Sequence, residues 1–242
     1  MSTSLATNSP EWFGGGGKFD DFDVVMTTQP TAGSLLVCTM VKQENGRVYD
    51  NYRISDTVDG TWNVAIQYEP GGSAGPGSEA EATIWYVENC GGGARTITIG
   101  VDYVSGGSMT AGFEFFEVTS SAGTLAYVTG SAVSAQNESS ATISAGTLTF
   151  NNDSDNFLVT AAVSSTDPTV GTNWTLGTDW TLYGYGRMQY QLDATSTEPC
   201  DYGNSAPFAA AAAAFEVPAA GGATPKGVFG LPLQGPTRRV VY

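Results

Sequence analysis

The carboxylates are the first candidates for acid–base chemistry in this chain, because the 242-residue sequence contains no histidine. The absence of imidazole excludes Ser-His and Cys-His nucleophile pairs and every metal site that needs a histidine ligand. A glycosidase would instead need two carboxylates that face one cleft. Glu114 and Glu117 are three residues apart on a predicted strand, which puts them on opposite faces. Glu79 and Glu81 share a face, but beside a glycine-rich stretch they are typical of a solvated strand edge. The sequence therefore predicts a protein that is not an enzyme and has no cofactor.

Oxygen ligands for calcium are the next chemistry to consider. Asn151, Asp153 and Asp155 alternate in one predicted loop, and three further acids lie between residues 20 and 23. A full calcium site needs six to eight oxygens, and the twelve-residue loop pattern with its closing glutamate is absent. Asx-rich turns before a strand are common for local hydrogen-bonding reasons. We therefore favour turns over a metal site, and we predict no metal.

Aromatic residues near the C-terminal third could form a stacking platform for sugar rings. The same residues could equally be ordinary cross-strand packing, since two tryptophans flank Gly177 in a predicted hairpin. The glycan-binding candidates are Trp174, Trp180, Tyr183 and Tyr185, with Tyr190 beside them.

Charge is unevenly distributed along the chain. The formal net charge is −15, yet residues 219–242 carry Lys226, Arg238 and Arg239 and no acid. Removing these three positive charges from the total leaves −18 on the rest. An acidic body repels nucleic acid and anionic membranes, so we expect neither as a partner. The basic tail either favours an acidic neighbour, which another copy of the chain could supply, or is a chance excess of arginine.

Three cysteines, Cys38, Cys90 and Cys200, allow one disulfide at most. Cys38 lies in an apolar strand pattern and is expected to be a small buried hydrophobe, whereas Cys90 and Cys200 lie in predicted loops and could pair. The first residues show no signal-peptide pattern, and no segment has transmembrane length. We therefore expect either that the protein is made and assembled inside a cell or that a signal has been removed.

Short alternating segments separated by glycine turns make up most of the chain. Alternation is clearest at Ile97, Ile99 and Val101, with Thr96 and Thr98 facing the other way. Such a pattern predicts about a dozen antiparallel strands and no helical domain. The predicted strands are 22–28, 34–41, 47–54, 62–68, 81–87, 95–104, 111–118, 125–129, 147–150, 157–163, 174–183, 185–193 and 207–217.

Two of these strands are expected at the centres of two layers. Segments 34–41 and 157–163 are apolar almost throughout, which is typical of strands buried on both faces. The run of six alanines at 209–214 favours a helix by propensity. We nevertheless predict a strand, because its small side chains would let it pass beneath the aromatic residues that flank it.

Both ends of the chain differ from this pattern. Residues 1–18 combine an aromatic pair with four glycines at 14–17, which indicates an extended N-terminal arm on a flexible hinge. Residues 219–242 are a glycine- and proline-rich C-terminal tail that cannot form its own core. The predicted organisation is therefore an arm at 1–18, a β domain at 19–218 and a tail at 219–242. The predicted partner-docking residues are Trp12, Phe13, Phe229, Leu231, Leu233, Arg238, Arg239 and Tyr242.

The order of these elements resembles a jelly-roll β-sandwich of the lectin or carbohydrate-binding-module type. The resemblance rests on GSLLV at 33–37, Trp62, and the segments 84–86, 96–99, 155–159, 174–176 and 213–216. It covers about residues 19–218 and concerns structural positions, so it supports the fold more than a function. Such domains occur in secreted bacterial proteins and in phage surface proteins. The arm and tail are similar to the appendages by which phage capsid decoration proteins attach to their neighbours.

These observations together predict a non-enzymatic virion structural protein, a phage capsid decoration or cement protein. It would form a homo-oligomer, with a trimer favoured, on the particle surface. Its partners would be the major capsid protein or other virion subunits. The alternative is a carbohydrate-binding or adhesion module of a tail fibre or secreted protein, for which a glycan would be the ligand.

Overall fold

The computed structural model describes residues 3–16, 21–26, 28–45, 49–68, 79–103, 108–151, 154–181, 185–195 and 197–218, and none of these is helical. They form fifteen strands, all in antiparallel pairs. The strands are β1 (Thr3–Gly16), β2 (Phe22–Val25), β3 (Leu35–Asn45), β4 (Tyr49–Asp56), β5 (Gly60–Thr61), β6 (Asn63–Tyr68), β7 (Glu79–Val87), β8 (Thr96–Tyr103), β9 (Ser108–Ser120), β10 (Ala126–Tyr127), β11 (Val133–Thr149), β12 (Asn156–Ser164), β13 (Thr175–Thr181), β14 (Tyr185–Leu192) and β15 (Thr197–Glu216). The predicted all-β class is confirmed.

Three sheets make up the fold. The middle sheet has the order β1-β9-β3-β7-β6, and the small sheet has the order β2-β8-β4-β5. The large sheet has the order β10-β15-β12-β14-β13, and β11 also pairs with β15. The antiparallel sheets form a sandwich, as expected, but with a third sheet beyond the expected two layers. The jelly-roll connectivity stays a prediction.

The middle sheet is buried on both faces. Leu36 and Cys38 of β3 share a core cluster with Ile99 of the small sheet. Leu35 and Val37, which point the other way, share a cluster with residues of the large sheet, including Phe157 and Phe215. A strand covered on both faces loses its polar alternation, and this explains the apolar run in β3. In β8 of the small sheet Ile97 and Ile99 are buried while Asp102 is exposed, so the predicted alternation is confirmed there.

The alanine run forms the central part of β15, as predicted. Residues 209–214 pair with β12 on one side, and 209–212 pair with β11 on the other. Ala211 and Ala213 face the middle sheet, whereas Ala210 and Ala212 lie in the cluster on the far face of the large sheet. All six alanines are fully buried. Pairing on both edges and burial on both faces override the helical propensity of alanine.

Two strands depart from the sequence predictions. Residues 1–18 were expected to form an arm outside the β domain, but β1 lies in the middle sheet as its edge strand, paired with β9. β11 runs from Val133 to Thr149, whereas only 147–150 were expected to be extended. Both segments are rich in small and polar residues, so their strand structure depends on pairing with distant partners rather than on local propensity.

Candidate functional site: the terminal anchor

Both ends of the described chain meet at two aspartates. The Asp193 carboxylate accepts hydrogen bonds from the backbone N–H of Thr3, at 3.0 Å to Oδ1 and 3.3 Å to Oδ2, and from the N–H of Asp155 at 3.0 Å. The carbonyl of Asp155 accepts the N–H of Val217 at 3.0 Å. Asp155 and Asp193 therefore connect the first residue of β1 to the first residue after β15. We call these four residues the terminal anchor.

Backbone conformation at the terminal anchor depends on aspartate. Asp155 has φ of 58° and Asp193 has φ of 53°, in the left-handed region that aspartate adopts more readily than most residues. The Asp155 carboxylate accepts the hydroxyl of Ser120 at 3.1 Å, which attaches the end of β9 to the same point. The terminal anchor thus joins the middle sheet to the large sheet.

A cavity of about 290 Å³ lies beside the terminal anchor. Ser120 and Gly123 belong to its wall. A Cβ added at Gly123 would lie 3.2 Å from Cγ1 of Val217, so the cavity wall lies close to the terminal anchor. The wall carries hydroxyl groups and small apolar groups and contains no charged side chain. The lining residues are Ala32, Gly33, Ser34, Val118, Thr119, Ser120, Gly123, Thr124 and Leu125. Such a lining suits a small side chain or a short peptide segment better than an ionic ligand.

The buried charges of the small-sheet side of the core have structural partners. Arg95 is fully buried, and its Nη1 donates to Asp56 at 2.8 Å and to Asp59 at 2.6 Å. Arg95 Nη2 donates to the carbonyl of Gly91. Asp56 also accepts the backbone N–H groups of Val58 and Asp59 and the Trp62 indole N–H. This Arg95 network holds the turn between β4 and β5 to the loop before β8.

A second buried ion pair joins two strands of the middle sheet. Lys42 Nζ lies 3.0 Å from Glu81 Oε2, both side chains are buried, and the ammonium lies 5.1 Å from the centroid of the Tyr52 ring. Thr83 donates to the same carboxylate at 2.7 Å. The expectation that Glu81 is solvated was wrong, because β7 lies in a sheet that is covered on both faces.

The pKa of Asp56 predicts an acid-sensitive contribution to stability. Burial acts to raise this pKa, but the hydrogen bonds from Asp59, Val58 and Trp62 and the charge of Arg95 outweigh burial and hold the pKa below its usual value. A carboxyl whose folded pKa is lowered stabilises the fold above its unfolded pKa of about 3.9, and that stabilisation is lost as pH falls through the folded pKa.

We therefore expect Asp56→Asn to be less stable than the wild type at pH 7. The difference should shrink as pH falls below about 4, because the carboxyl of the unfolded chain then binds a proton while that of the folded chain stays ionised until its lowered pKa is reached. Urea unfolding of both proteins across this pH range measures it. A stability difference that stays constant down to about pH 2 would contradict this account of Asp56.

The three cysteines are buried free thiols. Cys38 is confirmed as a core residue. Cys90 and Cys200 do not form a disulfide, and they belong to different core clusters. Burial raises the pKa of all three thiols, that of Cys200 to about 12. At neutral pH they are therefore protonated and poor nucleophiles.

The predicted docking residues fall into two groups. Trp12 and Phe13 lie in β1, where they pair with Gly112 and Ala111 of β9. The others belong to the tail, outside the described residues: Phe229, Leu231, Leu233, Arg238, Arg239 and Tyr242. Their role in docking stays a prediction.

The structure describes the side chains of two of the four predicted glycan-binding residues, Trp174 and Tyr185. Trp174 is buried in the core, and its indole N–H donates to the carbonyl of Pro199 at 3.1 Å, so its ring is not available for stacking on a sugar. Tyr185 is exposed at the start of β14. Trp180 lies in the edge strand β13, and Tyr183 lies outside the described residues.

The carboxylates considered for catalysis or calcium binding are distributed through the structure. Glu114 and Glu117 are buried on opposite faces of β9, Glu114 beside Gly177 of the large sheet and Glu117 accepting the N–H of Thr31 at 2.6 Å. Asp155 belongs to the terminal anchor, and Asp153 lies outside the described residues. Within the described ranges, histidine, cysteine and carboxylate residues do not form a group of three that could hold a metal.

Sequence reasoning missed the role of Asp193 entirely and considered Asp155 only as a calcium ligand. The Asp193 hydrogen bond to Thr3 spans 190 residues of sequence, so no local pattern could have indicated it. The one local signal in the sequence is an Asp directly before a strand, and an Asx-rich turn at 151–155 was expected. In the structure Asp155 has the positive φ that such a turn allows.

Comparisons with protein-family models, with curated proteins and with solved structures find no match to this chain. The described residues also contain no helix long and apolar enough to cross a membrane. The resemblance to jelly-roll domains of phage surface proteins therefore stays a prediction that depends on the sequence alone.

Proposed function

We propose that this protein is a non-enzymatic structural subunit of a virion, a phage capsid decoration protein that oligomerises on the particle surface. In this proposal the terminal segments attach the subunit to other copies and to the major capsid protein. The observation that carries it is the terminal anchor, which brings the start of β1 and the end of β15 to one place. The tail follows directly on this point, beside the start of β1, so a neighbour bound by the tail lies next to both ends of the described chain.

Two further features support an attachment role. Three buried carboxylates accept hydrogen bonds from other residues of the fold: Asp56, Glu81 and Glu117. These hydrogen bonds stabilise the fold and do not involve a substrate. The tail carries three positive charges and no acid, whereas the body is acidic. A tail of this charge is attracted to the acidic surface of another copy.

Removing the tail tests the proposal. A chain that lacks residues 221–242 should still fold, since the core clusters of the described chain are formed by residues up to Val217, and its melting temperature should change little. It should lose oligomerisation or attachment to particles. Light scattering and co-sedimentation with particles measure these two properties.

A tail variant provides the matched control. Replacing Arg238 and Arg239 with alanine keeps the length and the apolar residues of the tail but removes two of its charges. We expect weakened attachment with a reduced salt dependence, which separates ionic from apolar contributions. Unchanged oligomerisation and particle attachment after deletion of 221–242 would reject the proposed function.

A further inference from the structure

The N-terminal strand is attached to the rest of the protein mainly through a single neighbour. Among the described strands β1 pairs only with β9, in a register that runs from Thr3 opposite Ser120 to Gly16 opposite Ser108. Near its start two more contacts hold it: the Thr3 N–H donates to Asp193, and the hydroxyls of Ser4 and Thr119 lie 2.9 Å apart. As an edge strand, β1 could leave its place without breaking pairing between any other two strands.

The other end of β1 has the sequence of a hinge. The strand ends in three glycines, Gly14 to Gly16, and a fourth follows at position 17. The next strand, β2, belongs to the small sheet rather than the middle sheet. Glycine lacks a Cβ and accepts many backbone conformations, so the chain can change direction at Gly14 to Gly16 without a side-chain clash.

We propose that β1 of one subunit pairs with β9 of a second copy of this chain, and that this strand exchange joins subunits in the assembly. The inference rests on the proposed function, because it assigns the contact by which copies associate. An exchanged β1 finds the same β9 ladder and the same Asp193 carboxylate that it has within one chain. Exchange therefore changes the path of the hinge and little else, which makes it a low-cost route to an oligomer.

Ser4 and Thr119 offer a direct test of which chain supplies the strand. They are opposite each other in the register, their side-chain oxygens lie 2.9 Å apart, and Ser4 is exposed, so cysteines here have suitable geometry for a disulfide. We would coexpress a Ser4→Cys chain with a tagged Thr119→Cys chain, oxidise the assembly and run a non-reducing denaturing gel. Strand exchange predicts a disulfide-linked pair of one tagged and one untagged chain.

A matched control excludes random oxidation. Val64 is exposed on β6, at the opposite edge of the same sheet, so Ser4→Cys coexpressed with tagged Val64→Cys should give no linked pair. The native thiols are buried and should not interfere.

If the cysteine variants fail to fold, a labelled synthetic peptide of residues 1–16 added to the native chain gives a second measurement. Every β9 already carries a β1 strand, so under strand exchange a large excess of the peptide competes with the neighbour's β1 and should dissociate the assembly into single subunits, whereas a scrambled peptide should not. An assembly that stays intact in a large excess of the peptide would overturn the inference.

The outcomes separate the inference from the proposed function. If the chain assembles but a Ser4→Cys/Thr119→Cys double variant forms its disulfide only within single chains, strand exchange is overturned and the proposed function stands. If the chain remains a single subunit at every concentration and does not attach to particles, both are overturned.

Discussion

Replacing Arg95 with alanine is expected to lower the free energy of unfolding by about 3–5 kcal/mol, because it leaves buried carboxylates without their cation. Arg95 and Asp56 are both fully buried at their side chains, and Asp59 shares the same Nη1 group. Without the guanidinium, the two aspartates repel each other in a site with little water. Urea unfolding monitored by tryptophan fluorescence measures the loss, and Trp62, which donates to Asp56, reports on the site itself.

Arg53 is the control for this prediction, because it also forms ion pairs with two aspartates on the small sheet. Arg53 lies 2.9 Å from Asp102 and 3.5 Å from Asp21, and the side chains of all three residues are about half exposed to solvent. Exposed ion pairs contribute about 0–1 kcal/mol, so Arg53→Ala should have a small effect that salt reduces further. Equal losses for the two variants would show that burial of the Arg95 network is not what stabilises it.

The second large effect is expected at Lys42. Lys42→Ala removes the cation from Glu81 in a sheet that is covered on both faces, and we expect a loss of about 3–5 kcal/mol. The double variant Lys42→Met/Glu81→Leu removes both charges and keeps similar volumes. It should recover most of the stability, because no buried charge then lacks a partner. Chemical unfolding of the single and double variants gives the comparison.

The single variant Lys42→Met distinguishes desolvation from packing, because it keeps a side chain of similar length but removes the cation from Glu81. If Lys42 mattered only through its methylene groups, which pack in the core, Lys42→Met would be about as stable as the wild type. A loss close to that of Lys42→Ala, recovered when Glu81→Leu is added, supports the electrostatic account. A Lys42→Met variant as stable as the wild type would contradict it.

The candidate site was only partly predictable. The aromatic pair at 12–13 and the glycines at 14–17 were recognised as a special N-terminal segment, but as an arm rather than as an edge strand. Trp174 was a candidate for stacking on a sugar, with ordinary packing as the alternative, and it lies in the core cluster that residues of β11 and of the first half of β15 form on the far face of the large sheet. The aromatic residues of a strand do not reveal which face of the sheet packs against other strands and which faces solvent.

The order of amino acids was sufficient to establish the all-β class, the central strands β3 and β12, the alanine strand in β15 and the absence of histidine-based chemistry. These conclusions depend on composition and on the two-residue period of side chains, which are properties of short segments. Only the folded arrangement decides that a third sheet covers the middle one, that Arg95 and Lys42 are buried with their partners, and that Thr3 and Val217, near the two ends of the described chain, meet at Asp193 and Asp155. The partners in those contacts are far apart in sequence, and the pairing of strands rather than any local pattern brings them together.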